Sequence, residues 1–491
     1  MNPKKITLFI ISVLVLLLAL TFGSSFHTTA QGVQEGFAWK GITLKYPTTE
    51  LLFKPKAQKN TKAVAIIEEI KPVNEEDAQL HEEEKRDSMA FASKIPKTAL
   101  TTNIDGKIFY PGIPSEFITK IKQKLQQPHC QIIHYGDSQI EGDRITSYVR
   151  NRLQVLFGGS GPGFFPIKMV YNQKSIDLET SLNWFRYAAF DRKQEYLEHA
   201  AYGIYGSLSR FTPYREKPVD TVDAKFMPIE KAYFTIRPSL KSYRRLRHYT
   251  KMQLHYGNNR ETTMVTVYEN GIPLLRDSLQ SDGKYHAYEI AFPKTPDEIR
   301  VELEGKESPD FYGVTLDDSL GIRMDNVAMR GEAGRFFSKL NKGNFRQMSE
   351  VRHPDIIIFQ YGGNTVPYLK DKEQIKGYVT VLMNNIKWVQ QSNPEAVCLL
   401  IGPGDMATSI NGQMQTYPFL PKLNDEMKRQ SLKNNIAYWS LFEAMGGEGA
   451  IISWVEKGIG SPDYIHFRPE GTQLVSEMLF QCLHDDLLAI D

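Results

Sequence analysis

Beyond residue 100 the chain alternates short, nearly continuous apolar runs with longer segments whose apolar residues recur three and four apart. The runs Gln131 to Tyr135, Ile322 to Met329, Asp355 to Gln360, Val397 to Ile401 and Ile436 to Leu441 predict strands that are apolar on both faces. Gln374 to Gln391 and Leu420 to Asn434 predict amphipathic helices between them. Strands of this kind alternating with helices are buried from both sides, which sets the fold class as α/β with a parallel sheet. A site in such a sheet is expected at the strands' carboxyl edge.

The first two of these strands lie almost 190 residues apart, far more than one crossover needs, so a second module is expected between them. There the period changes to two. Lys231 to Arg237, Lys251 to Tyr256, Met264 to Tyr268, His286 to Phe292 and Glu298 to Leu303 alternate polar and apolar residues between turn residues. This predicts an inserted antiparallel β-sandwich over 172–318, flanked by the two parts of the α/β domain, 97–171 and 319–491. Asn270-Gly271 predicts a hairpin turn of type I′ within it.

At the N-terminus, Lys4 and Lys5 precede an uncharged stretch from Ile6 to Phe22. Segment 1–26 is thus expected to be an export signal or membrane anchor, with an uncleaved anchor favoured over a peptide cut after Ala30. Lys4 and Lys5 would stay cytoplasmic, which places the rest in the periplasm, tethered to the inner membrane. Segment 27–96 is mixed and charge-dense and reads as a flexible tether, with a solvated helix possible over Glu75 to Ser93.

Composition narrows the classes of function. With 491 residues, 41% of them hydrophobic, the chain can bury a large core. A net charge of +2 gives no reason to expect nucleic acid, and the basic run Lys241 to His248 reads as a solvated strand face. Cys130, Cys398 and Cys482 are too few and scattered for a disulfide framework or a zinc site and read as core residues. The glycine-rich run Gly158 to Gly163 lacks a phosphate-loop pattern and reads as a loop at the rim of the site. No cofactor and no metal are expected. Trp184 to Tyr187 could pack inside the insert or stack on sugar rings.

The chemistry-bearing residues fall at the strand ends. Gln131 to Tyr135 leads into Gly136-Asp137-Ser138, a turn that would present Ser138 at the sheet's carboxyl edge. By itself this run equally describes a helix N-cap. Strand two ends near Gly331, strand three ends in Gly362-Gly363-Asn364, and a late loop holds Asp463 and His466. The loop can aim a carboxylate at Nδ1 of the imidazole while Nε2 takes the serine proton. Gly331 can bring a backbone N–H close to a substrate oxygen, and Asn364 can donate its amide N–H to the same atom. The order Ser, Asp, His also suits α/β-hydrolases, but their Gly-x-Ser-x-Gly elbow is missing.

Taken together, Gly136-Asp137-Ser138, Gly331, Gly362-Gly363-Asn364 and Asp463 to His466 resemble the ordered blocks of the SGNH, or GDSL-type, hydrolase superfamily. Thr365 stands where that family often has Asp. The resemblance implies a flavodoxin-like sheet, a catalytic triad of Ser138, Asp463 and His466, and an oxyanion hole of the Ser138 and Gly331 N–H groups with Asn364. With its insert, the layout is similar to peptidoglycan O-acetylesterases. The expected activity is removal of O-acyl groups, O-acetyl first, from an envelope glycan such as peptidoglycan. Two alternatives remain: a glycan O-acetyltransferase using the same residues with a membrane acyl-donor partner, and a non-catalytic carbohydrate-binding protein.

Overall fold

The computed structural model describes residues 3–22, 36–39, 42–45, 60–70, 106–191, 193–194, 196–216 and 227–490. Its central sheet has six strands: β1 (Ile108–Phe109), β2 (His129–Gly136), β3 (Gly321–Ala328), β4 (Ile356–Gln360), β5 (Val397–Gly402) and β6 (Ala437–Ser440). They lie in the order β3-β2-β4-β5-β6-β1, all parallel except β1. Leaving out β1 and counting in chain order, this is the flavodoxin-like order 2-1-3-4-5. Strand order reverses at β2, so the crevice beyond its carboxyl end is flanked by the ends of both β3 and β4.

Both faces of the sheet are covered, which explains why the strands read as apolar throughout. Cys130 and Ile132 of β2 pack into a cluster with helices Pro114–Leu125, Thr146–Phe157 and Pro469–Leu488. Ile133 and Tyr135 point to the other face, with helices Lys342–Arg352, Lys372–Ser392 and Leu420–Lys433. Each large apolar side chain buried this way contributes roughly 1.5–3 kcal/mol. All three cysteines are buried free thiols, as expected of core residues. His134 is buried too, 2.9 Å from the Thr146 hydroxyl through Nδ1, and burial pushes its pKa down to about 3.

The insert is a pair of antiparallel sheets. One has the order His286–Ala291, Lys251–Gly257, Asp310–Asp317, Ser207–Arg210 and Phe185–Ala188, with Gly163–Phe165 also paired to Asp310–Asp317. The other runs Ile272–Leu279, Thr263–Glu269, Ile299–Gly305, Glu230–Pro238 and Ile176–Thr180. Their inner faces share a core built around residues such as Phe234, Val267, Val301 and Phe311. Asn270 and Gly271 both take positive φ, 51° and 80°, and close Glu269 onto Ile272 as a two-residue hairpin. Asp310–Asp317 did not stand out in the sequence because it is buried at every position and so lacks polar alternation.

Other expectations need correction. The basic run is no strand: Arg244–Arg247 is a 3₁₀ turn, with Leu246 buried and Arg245 donating to Gly159 O at 3.0 Å. Gly158 to Gly163 is not at the rim of the site. It packs against the start of β3, and a Cβ on Gly159 would sit 2.6 Å from Ile322 N. A Cβ on Gly163 would lie 2.3 Å from Met324 O, so the glycines allow the insert's first strand to approach β3. Trp184 is buried in the sandwich against Phe211 and Phe311, with Nε1 donating to Tyr233 O at 3.1 Å.

Part of the segment read as tether is ordered. Gly36–Trp39 pairs with Ile42–Lys45, and Thr61–Glu69 is a helix that docks on the α/β domain. Ala63, Ile66 and Ile70 are spaced to share one face and are buried, while Asn60 caps the helix and donates to the carbonyls of Gly446 and Glu448. The helix proposed for Glu75 to Ser93 lies outside the described residues. Pro3–Phe22 is helical. Among the described residues no helix is long and apolar enough to cross a membrane.

Candidate active site

β2 ends at Gly136, and Asp137 caps the 3₁₀ segment Ser138–Asp143 by accepting the Gln139 N–H at 2.9 Å. The cap holds Ser138 at the carboxyl edge, over the reversal of strand order. The N-cap and nucleophile readings of this run are therefore compatible, because Asp137 does the capping.

The loop from Ser461 to His466 comes up to meet it. Ser461 N–H donates to His466 O at 2.8 Å, and Tyr464 N–H to Ser461 O at 3.0 Å, which closes the loop on itself. Asp463 Oδ1 accepts the N–H groups of Ile465 and His466, both at 3.0 Å. Its Oδ2 lies 2.7 Å from His466 Nδ1, and His466 Nε2 lies 2.9 Å from Ser138 Oγ. With the Nδ1 hydrogen held by the carboxylate, Nε2 presents its lone pair to the serine hydroxyl. Burial raises the Asp463 pKa, but the hydrogen bonds from His466 and Ile465 outweigh it, and the net direction is downward. That keeps the carboxylate ionised beside the imidazole. Gln139 Nε2 donates to Ile465 O at 2.9 Å and fixes the loop to the serine's own segment.

The two other expected residues flank this pair. Gly331, φ 78°, sits in the turn Met329 to Glu332 at the end of β3, closed by Glu332 N–H to Met329 O at 3.0 Å. Asn364 lies just beyond β4, in the 3₁₀ segment Gly363–Tyr368. Its Nδ2 donates to Asp137 Oδ2 and to Glu332 O, both at 3.0 Å. The amide is thus held between the residue before the serine and the turn that contains Gly331. A developing oxyanion would compete for one of these hydrogens.

Three features of the site were not legible in the sequence. Asp137 anchors Asn364 as well as capping Ser138; Glu332 contributes its carbonyl; and Gln139 ties down the histidine loop. Only the place of Asp137 in the Gly-Asp-Ser run could have pointed to it. Burial pushes the Asp137 carboxyl up to about 6, against the lowering pull of the Gln139 N–H, His466 and Asn364. Among the described residues no group of three or more His, Cys, Asp or Glu side chains could hold a metal ion.

Asp137→Asn is expected to lower kcat for ester hydrolysis by roughly 10- to 100-fold with little change in KM, through misplacement of Asn364. An asparagine there cannot accept from both Gln139 N–H and Asn364 Nδ2 without losing one contact. The Asp137 contribution to stability should fall as pH rises. The folded carboxyl at about 6 binds its proton more tightly than the unfolded one near 3.8, so its stabilising contribution is full at low pH and is lost as pH rises to about 6. Relative to Asp137→Asn, wild type should lose roughly 3 kcal/mol between those limits in urea unfolding. A flat difference would show that Asp137 titrates normally.

No protein-family model matches the chain, and no curated protein matches it in sequence. Solved structures do. One described as a peptidoglycan O-acetylesterase in action is 18% identical, covering 78% of this chain and 99% of its own, with a TM-score of 0.60. A family-two carbohydrate esterase from Clostridium thermocellum is 11% identical, covering 51% of this chain and 90% of its own, with a TM-score of 0.24. A GDSL-like lipase from Parabacteroides merdae is 16% identical, covering 35% and 74%, with a TM-score of 0.25. The last two superpose too loosely to carry an argument. The first establishes a shared fold, an α/β domain with a parallel sheet and added antiparallel sheets, and leaves the chemistry to the site.

Proposed function

We propose that this protein is a serine ester hydrolase that removes O-acyl groups, O-acetyl first among them, from an envelope glycan. The observation that carries the reading is the chain of contacts Ser138 Oγ to His466 Nε2 at 2.9 Å and His466 Nδ1 to Asp463 at 2.7 Å. It stands at the carboxyl edge of a flavodoxin-like sheet.

In this mechanism His466 takes the proton of Ser138 as Oγ attacks the ester carbonyl carbon. Asp463 stabilises the imidazolium that forms. The carbonyl oxygen, now negative, is received by the N–H groups of Ser138 and Gly331 and by Asn364. Collapse expels the sugar hydroxyl, which takes its proton from His466. Water then attacks the acyl-serine with His466 again as base, releasing the acid and restoring Ser138. The shared fold with a protein described as a peptidoglycan O-acetylesterase supports a glycan ester over a lipid one. We place the enzyme in the periplasm, tethered through its N-terminal segment, where such glycans are found.

Mass spectrometry of acetate released from O-acetylated peptidoglycan and from other O-acetylated glycans tests the reading. Release above the enzyme-free rate is expected from at least one of them. If an acetyl donor and glycan oligomers instead give acetylated glycan without free acetate, the acceptor is a sugar and the protein is a transferase.

A further inference from the structure

A cavity of about 500 Å³ opens between the sandwich and the α/β domain, beside the site. On the α/β side it is edged by Glu141, three residues after Ser138, and by Arg330, next to Gly331. These two side chains pair at 3.4 Å. The facing wall includes Arg186, on the insert's strand Phe185–Ala188, Phe190 and Lys193 just after it, and Tyr171 just before the insert. The Arg330 guanidinium lies 4.6 Å from the Tyr171 ring centroid, and that of Arg186 lies 5.4 Å from the Phe190 ring.

Arg186 is the odd member of this set. Its guanidinium is half-buried, yet among the described residues it makes no hydrogen bond and no ion pair. Asp191 acts on it only at longer range, and burial disfavours its charged form. A partly desolvated guanidinium without an acceptor is costly, and its planar fork suits a carboxylate better than any neutral hydroxyl. Sugar rings can lie against Tyr171 and Phe190, since aromatic faces offer apolar area to the C–H face of a pyranose. Lys193, exposed at the same wall, adds a positive charge that the Asp191 carboxylate beside it offsets, and Arg330 is paired with Glu141, so Arg186 is the cation of the cavity with no bonded partner among the described residues.

We infer that this cavity receives a carboxylate-bearing part of the glycan, paired by Arg186, so that the substrate is an acidic rather than a neutral O-acylated glycan. The inference rests on the ester-hydrolase reading and narrows its substrate. The carboxylate can be a lactyl ether on an amino sugar or a uronic acid; the chemistry at Arg186 is the same.

The test compares kcat/KM for acetate release from O-acetylated muramyl oligosaccharides, from their carboxyl-reduced counterparts and from O-acetylated uronate oligomers. Wild type should prefer at least one acidic substrate to its reduced form by roughly 10-fold or more, as a charged hydrogen-bonded pair is worth. Arg186→Gln should abolish that preference mainly through KM, and Arg186→Lys should restore part of it. The acidic substrate that responds identifies the source of the carboxylate. Equal kcat/KM on acidic and reduced glycans in wild type, or a preference that survives in Arg186→Gln, overturns the inference. Should wild type hydrolyse neither these glycans nor p-nitrophenyl acetate, it is the catalytic reading that fails. Calorimetric binding of muramyl and uronate oligomers against their reduced forms, in wild type and Arg186→Gln, then still decides what the cavity takes.

Discussion

Ser138→Ala should reduce hydrolysis of p-nitrophenyl acetate to the rate given by the rest of the site, a loss on the order of 10⁶-fold when a triad nucleophile is removed. The size follows from what the hydroxyl does. Among the described residues it is the nucleophile held against the base, with His466 Nε2 2.9 Å away to take its proton. The substitution should cost little stability, because Asp137, not Ser138, caps the 3₁₀ segment. A fluorophosphonate probe should label wild type at Ser138 and leave the variant unlabelled. Hydrolysis at the wild-type rate by a folded Ser138→Ala protein would remove the serine mechanism altogether, while binding of glycan without labelling would favour a carbohydrate-binding protein.

The sequence was most informative where the chemistry sits at strand ends. Ser138, Gly331, Asn364 and the pair Asp463 and His466 stood out because each follows an apolar run or occupies a late loop. In the structure, Ser138, Asp463 and His466 form one chain of contacts, and Gly331 and Asn364 lie at the ends of the two strands flanking β2. Five strands of the sheet were legible because burial on both faces leaves a continuous apolar signal. The sixth, Ile108–Phe109, has two residues and no period to read. Asp310–Asp317 failed for a different reason: it is buried throughout, yet Asp310, Gly313, Thr315 and Asp317 interrupt its apolar run, so it shows neither a continuous apolar signal nor an alternation. The docked helix Thr61–Glu69 was hidden by its charged surroundings, although Ala63, Ile66 and Ile70 carry a helical spacing.

The insert's place in the fold gives the site a second wall. Arg150 pairs with Asp143 at 2.7 Å and donates to Met324 O at 2.6 Å, joining the helix after Ser138 to β3. Ser175, at the edge of the insert, also donates to Asp143. Arg352 reaches Asp325 of β3 at 3.0 Å and lies 3.6 Å from Asp317 of the sandwich. Buried pairs of this kind add little net stability, but losing one partner strands a charge, so they hold the two modules in one register. The cavity beside Ser138 inherits that rigidity, which is what a specificity wall requires.

Asn364→Ala should lower kcat by roughly 100- to 1000-fold with KM little changed, the usual loss when one oxyanion donor is removed. The argument is geometric. β4 ends at Gln360, and Gly362, φ 123°, turns the chain so that Asn364 faces Asp137; a Cβ at Gly362 would lie 2.7 Å from Pro403 Cδ. The amide is thereby fixed before substrate arrives, and the developing charge has only to take over one of its two hydrogen bonds, to Asp137 or to Glu332 O. A donor used only in the transition state lowers kcat when lost, whereas one that binds the ground-state ester would raise KM instead. The Asp137→Asn variant, which keeps the amide but loosens its hold, should fall between wild type and Asn364→Ala, and the double variant should be no worse than Asn364→Ala alone. Additive losses in the double variant would mean that Asp137 acts on catalysis independently of Asn364, and a rise in KM without a fall in kcat would remove Asn364 from the oxyanion hole.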